Sequence, residues 1–388
     1  MKLEDVVPAA RALLPATLER AEKTETQRKL LPEAVRDLRD AGMFKLVQPR
    51  RYGGFELDPA AMVRASSELA RSCGSTGWCL GVLSVHNWML GLYEERAQED
   101  VWGEDPEVLL AASFAPTGEA ERVADGIRVS GRWSFASGCD ASNWMMVGAV
   151  VPSSGPIPDL RLFLVPDSEY TVDDNWHVSG LAGTGSKDIV IEGAVVPEHR
   201  SLSLVEAMAG RSPGQELYAD SPLYRVPFGT MLLFALVGPA LGLARSAYAS
   251  FLERARTRQI TYSAEKQSEQ TPVHVLLGEA TYQLDAVELL WERDLAEIAR
   301  RTRDKHEFTL EERARYKRDV GQGLRACQEV IAKLSGASGA HGIFNSSPMQ
   351  RAFRDSHAMT THAALDPTQA ARTMGRVELD LDPSTAIL

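Results

Sequence analysis

Cysteine is scarce in this chain: four residues in 388, at Cys73, Cys79, Cys139 and Cys327. No two form a C-x-x-C pair and none has histidine at zinc-site spacing, which excludes a redox dithiol and any metal site. Buried free thiols in a reducing cytoplasm are the expectation. Positive charge is also short, with 42 Lys and Arg against 53 Asp and Glu and a formal net charge of -11. With no Lys/Arg run to offset it, that balance excludes nucleic acid and an anionic membrane as partners. Long apolar runs are missing: Met231 to Leu243 is the longest, shorter than the roughly 20 residues of a bilayer helix, and Gly238-Pro239 breaks it. It reads as a helix buried in an assembly. The opening Met1-Lys-Leu-Glu-Asp-Val-Val has no apolar core of a secretion signal. Nucleotide fingerprints are absent as well. Gly180-Leu-Ala-Gly183-Thr-Gly185-Ser186-Lys187 lacks the ending of a phosphate loop, and Gly339-Ala-His341-Gly342 follows a helix where a nicotinamide fingerprint follows a strand.

What is present is a globular composition, 44% apolar, in three textures. Helical periodicity dominates to about residue 106: a stripe of Leu30, Leu31, Ala34, Leu38, Ala41 and Phe44, a tight Arg51-Tyr52-Gly53-Gly54-Phe55 turn, then apolar helices over Pro59–Arg71 and Ser75–Tyr93. Residues 107–210 break into short apolar runs, Leu109–Phe114, Met145–Val151, Leu160–Val165 and Val190–Val196, split by Gly, Pro and Asp, which predicts an antiparallel β domain. From 211 to 388 long helices return: Pro227–Arg258, Val273–Arg303, Leu310–Gly336 and Pro367–Gly375, the pattern of a four-helix bundle. The fold class is α+β.

Two stretches carry chemistry. Gly131-Arg132-Trp133-Ser134-Phe135-Ala136-Ser137-Gly138-Cys139-Asp140-Ala141-Ser142-Asn143-Trp144 joins a turn, aromatic rings and hydroxyls at a sheet edge. Phe135, Trp133 or Trp144 is placed to lie against a flat conjugated ring while Ser137 bonds its polar edge; ordinary core packing is the competing reading. The apolar helix Ser75–Tyr93 holds Ser84, His86 and Asn87. Polar groups there need partners, since a buried donor left unmade costs about 1–3 kcal/mol. His86 therefore faces a cavity or is tied within the core.

The α, β, α order resembles the acyl-CoA dehydrogenase superfamily over nearly the whole chain, through Pro49-Arg-Arg-Tyr52-Gly53-Gly54, Gly180-Leu181-Ala-Gly183-Thr-Gly185-Ser186 up to Val196-Pro197, and Gly339-Ala-His-Gly342 followed by Arg354-Asp355. Dehydrogenases of that superfamily remove a proton with a glutamate. The matching position here is Ala363, and the alternative position falls in the carboxylate-free run Val226–Leu243. Without a carboxylate base, ordinary dehydrogenation has no agent.

His362 beside that position, Ser137-Gly138 and His86 resemble instead the two-component flavin-dependent monooxygenases on this fold. The resemblance implies reduced FAD or FMN supplied by a separate NAD(P)H:flavin reductase, molecular oxygen as co-substrate, and transfer of one oxygen from a flavin C4a-hydroperoxide to a phenol- or indole-type aromatic. It implies Ser137 at flavin N5, His362 near the oxygen-reacting carbon with His357 as rival in the same loop, and His86 and Ser113 facing the substrate. Phe114, Trp133, Phe135, Ala136, Ser137 and Gly138 would line the flavin, and Arg256 and Arg258 would reach its pyrophosphate, in a cytoplasmic homotetramer. An acyl-CoA dehydrogenase-like enzyme, an N- or S-oxygenase and a silent scaffold remain the alternatives.

Overall fold

The computed structural model describes residues 1–153, 158–260, 265–385 and 388. Six helices come first: α1 (Leu3–Ala12), α2 (Leu14–Gln27), α3 (Pro32–Asp40), α4 (Pro59–Ala70), α5 (Gly74–Leu90) and α6 (Glu95–Trp102). Every residue of α5 is buried, which is why its sequence is apolar all round rather than on one stripe. Glycine makes that position possible. A Cβ at Gly77 would lie 2.6 Å from the Ser66 carbonyl of α4, and one at Gly81 would lie 2.2 Å from the Ala235 carbonyl.

Seven strands follow: β1 (Leu110–Val123), β2 (Gly126–Ala136), β3 (Trp144–Val151), β4 (Asp159–Pro166), β5 (Thr171–Asp173), β6 (Lys187–Val196) and β7 (Ser201–Ser203). They form one sheet in the order β5-β6-β2-β1-β3-β4-β7. The expected antiparallel sheet needs correction, because β1 and β3 pair in parallel, Leu110 opposite Trp144 through Ser113 opposite Val147. The hairpin β1–β2 sends the chain back, and the loop after Ala136 carries it across to the far side of β1, so β3 runs the same way as β1. Alternation then gives the sheet two apolar faces. Leu110, Ala112 and Met146 join the large core with α5. Ala111, Trp133, Val147, Phe163 and Ile191 form a second core built almost wholly from strands, so the sheet curls over its own face.

The remaining helices are α7 (Leu204–Met208), α8 (Pro213–Leu217), α9 (Phe228–Ala235), α10 (Gly238–Thr257), α11 (Thr271–Arg303), α12 (Leu310–Ala337), α13 (Pro348–Thr360) and α14 (Pro367–Glu378). The helix expected over Pro227–Arg258 is two helices, interrupted at Leu236–Val237 ahead of Pro239, whose ring has no N–H to continue the ladder. Although the stretch is long and apolar enough to cross a membrane by composition, 89% of its apolar 18-residue window is buried inside the protein. A second correction is α13, where the sequence suggested a loop; Ser347 caps it and Pro348 begins it. The bundle is arranged around α12, which packs on α10, α11, α13 and α14.

Candidate active site

The loop after β2 is fixed by its backbone. Phe135 and Gly138 both adopt left-handed conformations, φ 68° and 75°, and the Gly138 N–H donates to the Thr184 carbonyl at 2.8 Å. This turn brings Ser137 against α5 and the Gly180–Ser186 segment. Ser137 Oγ lies 2.7 Å from Ser186 Oγ, and Ser186 Oγ lies 2.7 Å from Thr184 Oγ1. The indole N–H of Trp78, on α5, donates to Ser137 Oγ at 3.3 Å. The same indole meets the His362 ring edge-on, centroids 5.7 Å apart at 61°. Trp78 thus joins Ser137 and His362, the two residues that the resemblance set on a flavin.

His362 sits in the turn after α13, where its Nδ1 accepts the Ala364 N–H at 3.3 Å. In the neutral ring that leaves the proton on Nε2. Water reaches its side chain, yet protein crowds it closely enough for burial to lower its pKa. His357 does not share its loop. It lies exposed on α13, with Nδ1 3.0 Å from the Gln328 amide nitrogen and its ring 4.4 Å from that of Phe353.

His86 lies two turns along α5 from Trp78, about 12 Å on the helix rise. The polar triplet on that helix is tied down as burial demands: Ser84 to the Met43 carbonyl, Asn87 to the Phe44 carbonyl, and His86 Nδ1 to the Leu110 carbonyl at 2.9 Å. A carbonyl only accepts, so His86 carries its proton on Nδ1 and leaves Nε2 as a bare acceptor. Burial lowers its pKa to about 4, although the Leu110 bond pulls the other way. The Phe114 ring stands edge-on to it at 5.8 Å.

Other expected positions fall elsewhere. Ser113 does not face His86: alternation along β1 puts it on the Ala111 side, and its hydroxyl donates to the Ser134 carbonyl at 2.8 Å. Trp133 is fully buried in the sheet's own core, its N–H on the Gly148 carbonyl at 2.7 Å, so it offers no face to a ligand. Ala136 is likewise buried, paired with Lys187 of β6, and can present only backbone. Trp144 is covered by the Arg200 guanidinium, 5.1 Å from its ring. Arg256 is exposed near the end of α10, while Arg258 donates to the Ser338 carbonyl at 2.9 Å beside the Gly339 turn.

Trp78, Thr184 and Asp355 had no assigned part in the site. Asp355 is buried and accepts the Leu181 N–H at 2.6 Å; burial pushes its carboxyl up to about 6 against the pull of that bond. Leu181 in turn accepts the Thr184 hydroxyl at 2.7 Å. The Gly180–Ser186 and Arg354-Asp355 motifs hinted at these links, without showing that they touch. Among the described residues no group of His, Cys, Asp or Glu is arranged to hold a metal.

Residues 3–102 match the acyl-CoA dehydrogenase N-terminal domain and residues 234–367 its C-terminal domain. The oxygenase subunit HsaA of a flavin-dependent monooxygenase from Mycobacterium tuberculosis is 38% identical, over 99% of this chain and 98% of that one. The oxygenase component of the FADH(2)-dependent resorcinol hydroxylase of Rhizobium sp. is 34% identical, over 94% and 91%. The crystal structure of the HsaA monooxygenase superposes with a TM-score of 0.94 at 37% identity, covering all of both chains.

A flavin asks for an apolar surface against its rings and polar partners along one edge. Phe135 meets the first need: it is 71% exposed and held at positive φ, two costs that core packing does not require, the second about 1–3 kcal/mol. Trp176 supports it edge-on at 6.0 Å. Ser137, the Trp78 indole and the His362 imidazole are hydroxyl and ring N–H groups suited to a heterocycle's edge. The residues present fit the group. The chain belongs to the acyl-CoA dehydrogenase family and, within it, to the oxygenase components of flavin-dependent monooxygenases.

Proposed function

We propose that this oxygenase hydroxylates a phenol, taking its substrate's O–H at His86. The reading is carried by one observation: His86 is held neutral, with Nδ1 committed to the Leu110 carbonyl and Nε2 free as an acceptor. When bound, reduced flavin supplies the activation of molecular oxygen that no side chain can perform. Everything else falls to the protein. A bare imidazole nitrogen withdraws the phenolic proton and makes the ring electron-rich where oxygen is to be added. An indole N–H donor satisfies the same acceptor, and it is the second substrate type the site suits.

His362 acts at the other end. With flavin bound, its Nε2–H would donate toward charge on oxygen, and its exposed side chain would recover a proton given up there from water. Ser137 would hold the flavin edge at N5, and Phe135, Phe114 and the Gly138 turn would line its rings. Phe114 and the buried surface of α5 keep water from the reacting centre. Ser113 and Trp133 act at one remove, by fixing the Ser134 carbonyl and the fold of β2. Arg256 and Arg258 are assigned to the phosphates of a flavin held by a neighbouring copy, which favours FAD over FMN.

Such an enzyme depends on a separate reductase for its reduced flavin. In keeping with that, the described residues from β1 to β7 include no α-helix, and so no dinucleotide-binding strand–helix–strand unit. We assign residues 1–106, 107–210 and 211–388 to three domains. A homotetramer is supported by α11, whose exposed face repeats Val275, Tyr282 and Leu289 at seven-residue spacing, 54%, 76% and 71% exposed, the seam of a helix that packs on another. Four buried free cysteines suit the cytoplasm, where reduced nicotinamide is made.

The test pairs a phenol with its methyl ether, each given to the protein with reduced flavin and oxygen. The phenol should be hydroxylated, and the ether should yield hydrogen peroxide alone. Equal hydroxylation of both removes His86 from the proposed role.

A further inference from the structure

Ser137 has one hydroxyl hydrogen, and the groups around it decide where that hydrogen points. Thr184 Oγ1 lies 2.7 Å from the Leu181 carbonyl. Two oxygens so close need a hydrogen between them, and a carbonyl cannot supply it, so the Thr184 hydrogen is committed there. The 2.7 Å contact between Ser186 Oγ and Thr184 Oγ1 must then use the hydrogen of Ser186. By the same step, the 2.7 Å contact between Ser137 Oγ and Ser186 Oγ uses the hydrogen of Ser137. Trp78 Nε1, a donor only, fills one of the two lone pairs on Ser137 at 3.3 Å.

What remains on Ser137 is a single lone pair and no free hydrogen. Thr184 and Ser186 are 1% and 5% exposed, so bulk water is not on hand to reverse the chain. Its far end is anchored too. Leu181 is fixed by its N–H on Asp355 and by a second donor to its carbonyl, Trp176 Nε1 at 3.2 Å.

We propose that Ser186 and Thr184 are positioning residues that hold the Ser137 hydroxyl as an acceptor only, so that the site selects flavin bearing a hydrogen on N5 over flavin whose N5 is bare. The inference rests on the reading of Ser137 as the N5 partner. Reduced flavin carries N5–H, a donor that meets the free lone pair. Oxidised flavin offers N5 as an acceptor, and two acceptors face one another with nothing between. A protein that borrows its flavin reduced gains direction from this: the form made by the reductase is held, and the form left after turnover is let go.

The experiment is anaerobic titration of the full-length protein with reduced and with oxidised FAD and FMN, in the wild type and in Ser186→Ala, Thr184→Val and Ser137→Ala. Circular dichroism checks the fold of each. Ser186→Ala returns a hydrogen to Ser137, so oxidised flavin should bind more tightly while reduced flavin changes little. The preference for the reduced form should narrow about tenfold, and the potential of the bound flavin should fall by about 30 mV, the value of a tenfold ratio for a two-electron couple. Thr184→Val should move both in the same direction by less. Ser137→Ala should lose the preference the other way, by weaker binding of reduced flavin. Folded Ser186→Ala and Thr184→Val proteins that keep the wild-type ratio overturn the proposal and leave Ser137 in place. A Ser137→Ala protein with both affinities unchanged instead removes Ser137 from the flavin, and with it the reading on which the proposal stands.

Discussion

His86 and His362 are the same residue type put to opposite uses by one backbone contact each. On α5, where His86 is only 5% exposed, the Leu110 carbonyl accepts the Nδ1–H and leaves a bare Nε2. In the turn after α13, open to water, a backbone N–H fills Nδ1 of His362 and leaves the proton on Nε2. Burial lowers the pKa of both, so neither needs charge to act. One can only receive a proton and the other can only give one. The difference teaches that the role of a histidine is written in what its far nitrogen touches, not in the side chain itself.

The largest expected effect comes from removing the acceptor. His86→Leu keeps the volume of the site but has no Nε2, and loss of a general base lowers hydroxylation by about 10²- to 10⁴-fold. Flavin oxidation should continue, with hydrogen peroxide replacing product; product and peroxide assays read this directly. The closed setting of His86 also has a thermodynamic signature. Its folded pKa of about 4 lies below the ordinary 6.5 of a free imidazole, so between those values the unfolded chain binds more protons and stability falls as pH falls. Wild type should lose on the order of 3 kcal/mol more than His86→Gln between pH 6.5 and 4, from about 1.4 kcal/mol per pKa unit. Urea melts at each pH measure it. Buried Asp355, shifted upward, contributes with the opposite sign, but equally in both proteins, so the comparison cancels it.

Breaking the donor should do less. His362→Asn keeps an N–H but shortens the reach, and loss of one positioned hydrogen bond, about 1–1.5 kcal/mol, corresponds to a roughly tenfold loss of coupling. Peroxide released per flavin oxidised is the readout. Smaller again is Trp78→Phe, which keeps the ring against His362 but removes the N–H on Ser137. A change of a few-fold in reduced-flavin affinity, with coupling nearly intact, separates support of the site from chemistry in it.

The three textures of the chain were plain in the sequence because periodicity reports burial, and the Ser75–Tyr93 and Leu109–Phe114 runs fall on α5 and β1. The parallel pairing of β1 with β3 was not legible, since apolar runs state which residues are buried and not which way a neighbouring strand runs. Ser137 and His362 were singled out in the sequence by the family resemblance. Their meeting point was not: Trp78 looks like any core aromatic on an apolar helix until the Ser137 turn is seen against it. Trp133 and Phe135 lie two positions apart and would share a face of a regular strand, but the pairing shifts between Trp133 and Ala136 and Phe135 sits at positive φ, which leaves the first ring in the core and turns the second outward. The tautomers were out of reach altogether, as they depend on Leu110 and Ala364 backbone atoms that carry no residue-type signal.

The central claim is that a neutral acceptor at His86 and a donor at His362 serve oxygen transfer from a borrowed, reduced flavin. The most direct measurement gives the protein chemically reduced flavin, a phenol and isotopically labelled oxygen gas, and analyses the product by mass spectrometry. One labelled oxygen atom in the aromatic product is the expected result, reduced by about 10²- to 10⁴-fold in His86→Leu. A protein that instead holds oxidised flavin tightly, bleaches on addition of an acyl thioester and puts no label into the phenol would contradict it.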